Sequence, residues 1–307
     1  MRHSLRRLVL ALAAFSACTG AAEPAPREPE TQLETVAPDG PSARPALWKI
    51  ADEDTTIYLF GTVHALPAGT EWYGGKVADS FEHSQELVTE ILESSGEEAR
   101  SAVMAKALLP ANQSLRSLMS PAERTAYEQA LAREGLQPAA LDRFKPWWGA
   151  VFLATVPILK QGYDPKNGVE ALLDAKAKSL SHPHSALETA EYQLGLFDSL
   201  PQEVQLRYLA EVVRTMPDAR NELEGMIAAW KKGDADELAK LMNEDEDEPA
   251  LMEKLLYARN KNWAQWIRTR LDRPGTVFIA VGAGHLAGAG SVQDDLRAMG
   301  IASTRIQ

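Results

Sequence analysis

Two histidines stand in the same local setting. Each closes a Gly-x-x-His sequence after an apolar run: Gly61-Thr62-Val63-His64 follows TIYLF at 56–60, and Gly282-Ala283-Gly284-His285 follows TVFIAV at 276–281. An imidazole moves protons near neutral pH or binds a transition metal, and glycine beside it lets a ligand approach the backbone closely. Gly61, Gly282 and Gly284 are therefore candidate binding positions. A third chemical group, Glu90, lies in the apolar run ELVTEI at 86–91. Two imidazoles and a carboxylate suit a divalent metal, the carboxylate serving as ligand or as general base toward bound water; the same groups can also do plain acid/base work.

Other chemistries find less support. The chain has 6 histidines; His3 lies in the leader, His83 on a helical stretch, and His182 and His184 in a turn-like Ser-His-Pro-His that no strand end presents. A single cysteine, Cys18, excludes intramolecular disulfides and thiolate metal sites. No Gly-x-Ser-x-Gly elbow occurs. Gly282, Gly284 and Ala287 match the dinucleotide fingerprint, but too little chain follows for the rest of such a unit, so no nucleotide is expected. A formal charge of -11, with no basic run in the body of the chain, argues against nucleic acid.

The candidate groups are far apart in sequence and need a scaffold that unites both ends. Residues 47–50 and 56–60 read as strands joined by the polar hairpin 51–55, with a helix at 77–83 and a strand at 86–91. The unbroken β-branched run 276–281 predicts a strand buried on both faces, followed by a helix over 292–299 and a strand over 303–306. Between these ends, about 97–270 is mostly helical, broken at Pro121, Pro138, Pro201 and Pro217, with Ser120, Pro121 and Glu123 marking one helix start. Phe144, Trp147, Trp148, Val151, Phe152, Val156 and Leu159 recur at helical spacing and read as core, the alternative being that Trp147 and Trp148 line a groove. Five acids at 244–248 read as a solvated loop. The expected fold is α/β (α+β): one domain over 47–307, a mixed sheet from its N- and C-terminal strand regions, and a large helical middle. Both histidines would then reach the carboxyl edge of the sheet, where open α/β sheets bind ligands.

Residues 1–17 carry Arg2, Arg6 and Arg7 before an apolar stretch too short for the roughly 20 residues of a membrane span, which predicts an export signal. Phe15-Ser16-Ala17-Cys18 resembles a lipobox with Phe where Leu is usual. Cys18 is accordingly expected to carry a lipid, the alternative being ordinary secretory cleavage near Ala21 or Ala22. The proline-rich, polar segment 18–46 predicts a disordered tether. The chain is thus expected in the cell envelope, lipid-anchored to a membrane and facing the periplasm or exterior, or otherwise exported as a soluble protein.

Taken together, GTVH, Glu90 in LVTEI, Leu187-Glu188-Thr189, Ala258-Arg259-Asn260 before Trp263, and the closing VGAGHL resemble the TraB/GumN family, which is related to the Tiki proteins, over about 47–306. The resemblance implies a metal-dependent, peptidase-like hydrolase using manganese or cobalt on a peptide or protein, and zinc suits the same ligand types. It makes His64 and His285 metal ligands or acid/base groups, Glu90 a ligand or general base, Arg259 a stabiliser of negative charge on the substrate, and Asn260 a binding residue. Glu188 is read first as a structural partner for an arginine. Glu170 stands where the family has Asp, and its role is left open. The alternative on the same fold is a non-catalytic lipoprotein that binds a peptide or pheromone.

Overall fold

A computed structural model describes residues 43–92, 104–242 and 249–307. The export signal, Cys18, most of the tether and the acidic run 244–248 lie outside the described residues. A hairpin joins β1 (Leu47–Ala51) to β2 (Thr55–Thr62), with Leu47 opposite Phe60. Asp52 closes its turn by accepting the Thr55 N–H at 2.8 Å, the local bonding that favours Asp in turns. After the short β3 (Leu66–Pro67) and helix α1 (Gly75–Glu82), the chain lays down β4 (Glu86–Thr89).

The middle of the chain supplies α2 (Pro121–Arg133), α3 (Pro146–Lys160), β5 (Tyr163–Asp164), α4 (Val169–Leu180), β6 (His184–Ala186), α5 (Ala190–Asp198), α6 (Gln202–Thr215), α7 (Ala219–Lys232) and α8 (Ala235–Met242). Helix α9 (Pro249–Met252) passes through a π-helical turn (Glu253–Tyr257) into α10 (Ala258–Leu271). Strand β7 (Gly275–Gly282) then runs between β2 and β4, parallel to both. Helix α11 (Val292–Ala298) and β8 (Thr304–Arg305) follow, β8 pairing antiparallel with β1. The strand order of the six-stranded sheet is β6-β4-β7-β2-β1-β8, while β3 and β5 pair separately.

Strand alternation divides the apolar residues of β7 between two cores. Val277, Ile279 and Val281 join Ile57, Leu59 and Val88 under Trp263 and Ile267 of α10 and Leu296 of α11. Phe278 and Ala280 face the other way, with Phe60 and Leu87, into the larger core containing Phe81 and Trp230. The central strand is therefore buried on both faces, as its unbroken apolar run predicts. Trp147 and Trp148 belong to the larger core, 0% and 6% exposed, so they line no groove.

Two expectations need correction. The sheet is not made from the two ends alone, since β6 comes from the helical middle and pairs parallel with β4. His184 consequently lies on a strand, not in a turn: Nε2 is 2.8 Å from Thr89 Oγ1 and Nδ1 is 3.0 Å from Asp174 Oδ1. Three residues after a proline carry too little alternation to show a strand, and only pairing with β4 reveals it. No described helix is long and apolar enough to cross a membrane.

Candidate functional site

Strands β6, β4, β7 and β2 are parallel neighbours, and Glu188, Glu90, His285 and His64 follow their respective carboxyl ends. Register brings these ends together, with Thr62 opposite Gly282 and Thr89 opposite Ala280.

His64 is fixed by the start of α4. Val63 O accepts the Val169 N–H at 3.1 Å, and Gly168 caps the helix so close to His64 that a Cβ there would lie 2.2 Å from His64 O. This docking carries Glu170, in the first turn, to His64: Oε1 is 2.7 Å from Nδ1, and Thr62 Oγ1 donates to the same oxygen. Burial opposes charge on His64, but the Glu170 carboxylate outweighs it and raises the His64 pKa from 6.5 to about 9. Burial likewise opposes ionisation of Glu170, yet His64 holds its pKa below the usual carboxyl value.

Glu90 is held from three directions. Gly282 N–H donates to Oε1 at 2.7 Å; Arg259 Nη2 and Gln193 Nε2 donate to Oε2 at 2.5 and 2.9 Å. Burial would keep this carboxyl neutral, but Arg259 above all, with protonated His64 and the Gly282 N–H, presses its pKa well below the normal range. Arg259 also pairs with Glu188 through Nε and Nη2, at 3.0 and 2.9 Å, and donates from Nη1 to Leu255 O at 3.0 Å. Its guanidinium lies 4.8 Å from the Trp263 ring centre, and Trp263 Nε1 donates to Glu188 Oε1 at 3.0 Å. Glu188 thus has the arginine partner expected of it. The donors of Arg259 are committed to protein groups, so acting on a substrate would require their release.

His285 can be assigned a tautomer from its partners. Arg259 Nη1, which only donates, lies 3.1 Å from Nε2, so Nε2 accepts and Nδ1 carries the proton. Nδ1 donates to Asn260 Oδ1 at 2.6 Å, and Asn260 Nδ2 donates to Gly290 O at 2.7 Å, which fixes the amide's orientation. Burial and then Arg259 lower the His285 pKa from 6.5 to about 3, making a neutral imidazole. The roles of Asn260 and His285 in orienting each other are direct; Gly61 instead serves packing, since a Cβ there would lie 3.1 Å from Ala283 Cα. Gly284 lies buried in the 3₁₀ turn Ala283–Leu286, which follows β7 in place of the helix start required by a dinucleotide fingerprint.

The three expected groups meet at Gly282. A Cβ built there would lie 3.1 Å from Glu90 Oε1, 3.5 Å from His64 Nε2 and 3.7 Å from His285 Cδ2. Glu90 Oε1 and His285 Nε2 are themselves 3.9 Å apart. Hydrogen on glycine leaves a cradle that any side chain would fill. Among the described residues, no group of three or more His, Cys, Asp and Glu is placed to hold a metal ion. Sequence reading missed Thr62 and Gln193 and assigned Glu170 no role. Only its place where the family has Asp marks Glu170, whereas nothing local marks a glutamine on a helix as a partner of Glu90.

Comparison with known proteins adds the following. The chain is 26% identical over 194 residues to "Uncharacterized protein YbaP" of Escherichia coli (strain K12), covering 62% of this chain and 70% of that protein. The same identity and coverage relate it to "Uncharacterized protein YbaP" of Shigella flexneri. An "Uncharacterized protein" of Treponema pallidum (strain Nichols) is 21% identical over 268 residues, covering 81% of this chain and 79% of that protein. No solved structure matches. The pattern of the TraB/PrgY/gumN family matches residues 46–305, nearly the whole described domain, and the chain belongs to that family.

Proposed function

We propose that the cradle at Gly282 is the catalytic centre of a metal-dependent hydrolase acting on a peptide or protein. The observation that carries this reading is the meeting of Glu90 Oε1, His64 Nε2 and the His285 ring around one point next to a glycine. Two imidazoles and a carboxylate are residue types that suit manganese, cobalt or zinc, and each imidazole is oriented through its other nitrogen, His64 by Glu170 and His285 by Asn260. His64 Nε2 and Glu90 Oε1 would hold the ion, with His285 Nε2 joining on exchange of its Arg259 contact. Such an ion supplies Lewis-acid polarisation of a carbonyl and a lowered pKa for bound water.

The chain's own groups set the conditions. Arg259 keeps Glu90 ionised, with Oε1 available as a ligand, while Glu188 keeps Arg259 in place. Three carboxylates, Glu90, Glu170 and Glu188, face the cations Arg259 and protonated His64. With His64 neutral, the charge of this cluster would be balanced by a dication held in the cradle, and His64, protonated at neutral pH, would have to give up its proton to act as a ligand.

Cobalt titration of protein purified without chelators tests the centre. A cobalt absorption band that disappears in His64→Ala and His285→Ala is expected. No uptake of manganese, cobalt or zinc, together with peptide hydrolysis undiminished in the double variant, would sink the proposal. The same reading includes export through 1–17, lipid attachment at Cys18 and a tether through 18–46. Mass spectrometry of the mature chain should find a lipid-modified amino-terminal Cys18; an unmodified terminus near Ala21 or Ala22 would indicate a soluble exported form.

A further inference from the structure

We infer that Gln193 is a positioning residue that fixes the plane of the Glu90 carboxylate, so that one oxygen stays turned to the cradle, a role that rests on Glu90 acting there. Gln193 lies on α5, whose cap Thr189 accepts the Tyr192 N–H at 3.1 Å, and this turn places the glutamine beside the ends of β4 and β6. Its side chain is buried, the residue being 5% exposed. Nε2 donates to Glu90 Oε2 and to Glu188 Oε2, at 2.9 Å each. Arg259 Nη2 donates to the same two oxygens, at 2.5 and 2.9 Å. Two nitrogens and two carboxylate oxygens thus form a closed ring. The amide orientation follows from the partners, because its oxygen in place of Nε2 would confront two carboxylate oxygens.

The ring gives the oxygens of Glu90 different tasks. Oε2 accepts from both Arg259 and Gln193, whereas Oε1 accepts from Gly282 N–H and keeps acceptor capacity toward the cradle. Without Gln193, each oxygen would keep a single donor, Arg259 Nη2 on Oε2 and Gly282 N–H on Oε1, and the plane would be held less firmly. The second donor, approaching from another helix, resists rotation of the carboxylate plane away from the cradle. Gln193 also links Glu90 to Glu188 without adding charge, so the pair stays together while the cradle keeps its ionised oxygen.

The test replaces Gln193 with Met, which has similar length and no donor, and measures amide hydrogen exchange and cobalt affinity on the full chain. Exchange at Gly282, whose N–H is bonded to Glu90 Oε1, should quicken about tenfold, as expected for one weakened buried hydrogen bond. Ile279 and Val281 should be unchanged. Cobalt affinity should fall about tenfold or more, the usual effect of removing an outer-shell partner. Unchanged Gly282 exchange, or uniformly faster exchange along all of β7, overturns the inference. If wild-type protein takes up no cobalt, the proposed metal centre fails, while Gly282 exchange still decides the role of Gln193. Gln193→Ala provides the same readout should Gln193→Met fail to fold.

Discussion

Glu170 holds His64 by a 2.7 Å contact between Oε1 and Nδ1, and the two residues are brought together by a helix docked on the histidine's own backbone. The contact gives the protein a defined pH dependence. Because the folded His64 pKa is raised from 6.5 to about 9, its contribution to stability is complete below pH 6.5 and is lost as pH rises through 9. Urea unfolding at a series of pH values should show this loss between those limits, and Glu170→Gln should remove most of it. An equal slope in both proteins would mean that the pair does not set the histidine's charge.

Gly168 and Gly282 should respond differently to alanine although both have negative φ angles, -62° and -49°. At Gly168 the new methyl meets His64 backbone oxygen at 2.2 Å and cannot be relieved by a rotamer, so Gly168→Ala should cost at least about 1–3 kcal/mol. At Gly282 the methyl meets the side-chain atoms Glu90 Oε1 and His64 Nε2, at 3.1 and 3.5 Å. Gly282→Ala should fold with a loss of about 1 kcal/mol while losing cobalt binding. Thermal melts and cobalt titration separate the two effects.

Arg259 carries the charge balance of Glu90 and Glu188, all three side chains being nearly excluded from solvent. Arg259→Met leaves two carboxylates facing each other in the interior and should destabilise the domain by about 3–5 kcal/mol in denaturant unfolding. Arg259→Lys should recover only part of this, because an ammonium cannot reproduce the fork that serves Glu188 through Nε and Nη2. Full recovery by lysine would show that charge alone matters there.

His285 should appear in nitrogen NMR as the neutral Nδ1–H tautomer throughout pH 5–8, since burial and Arg259 lower its pKa to about 3. A lowered histidine pKa means that this group's stability contribution is present above 6.5 and is lost as pH falls toward 3. Asn260→Leu removes the acceptor of the Nδ1 proton and should lower stability by about 1–3 kcal/mol. An imidazolium signal at pH 7 in the parent protein would contradict the assignment.

Local pattern in the sequence determined the buried character of β7, the helical middle and the two Gly-x-x-His turns, because strand hydrophobicity and glycine placement act over a few residues. The position of Glu90 at a strand end was legible for the same reason. Tertiary structure decided what completed the site. Glu170 reaches His64 only because Gly168 lets α4 approach a backbone carbonyl, Gln193 reaches Glu90 only after β6 has paired with β4, and Arg259 is divided between two carboxylates from different strands. These contacts join distant segments through helix docking and strand pairing, so composition and spacing along one segment do not encode them individually. The residue types specified the chemistry available to this protein, while the packing of its parallel strand ends determined which groups share protons, charge and space.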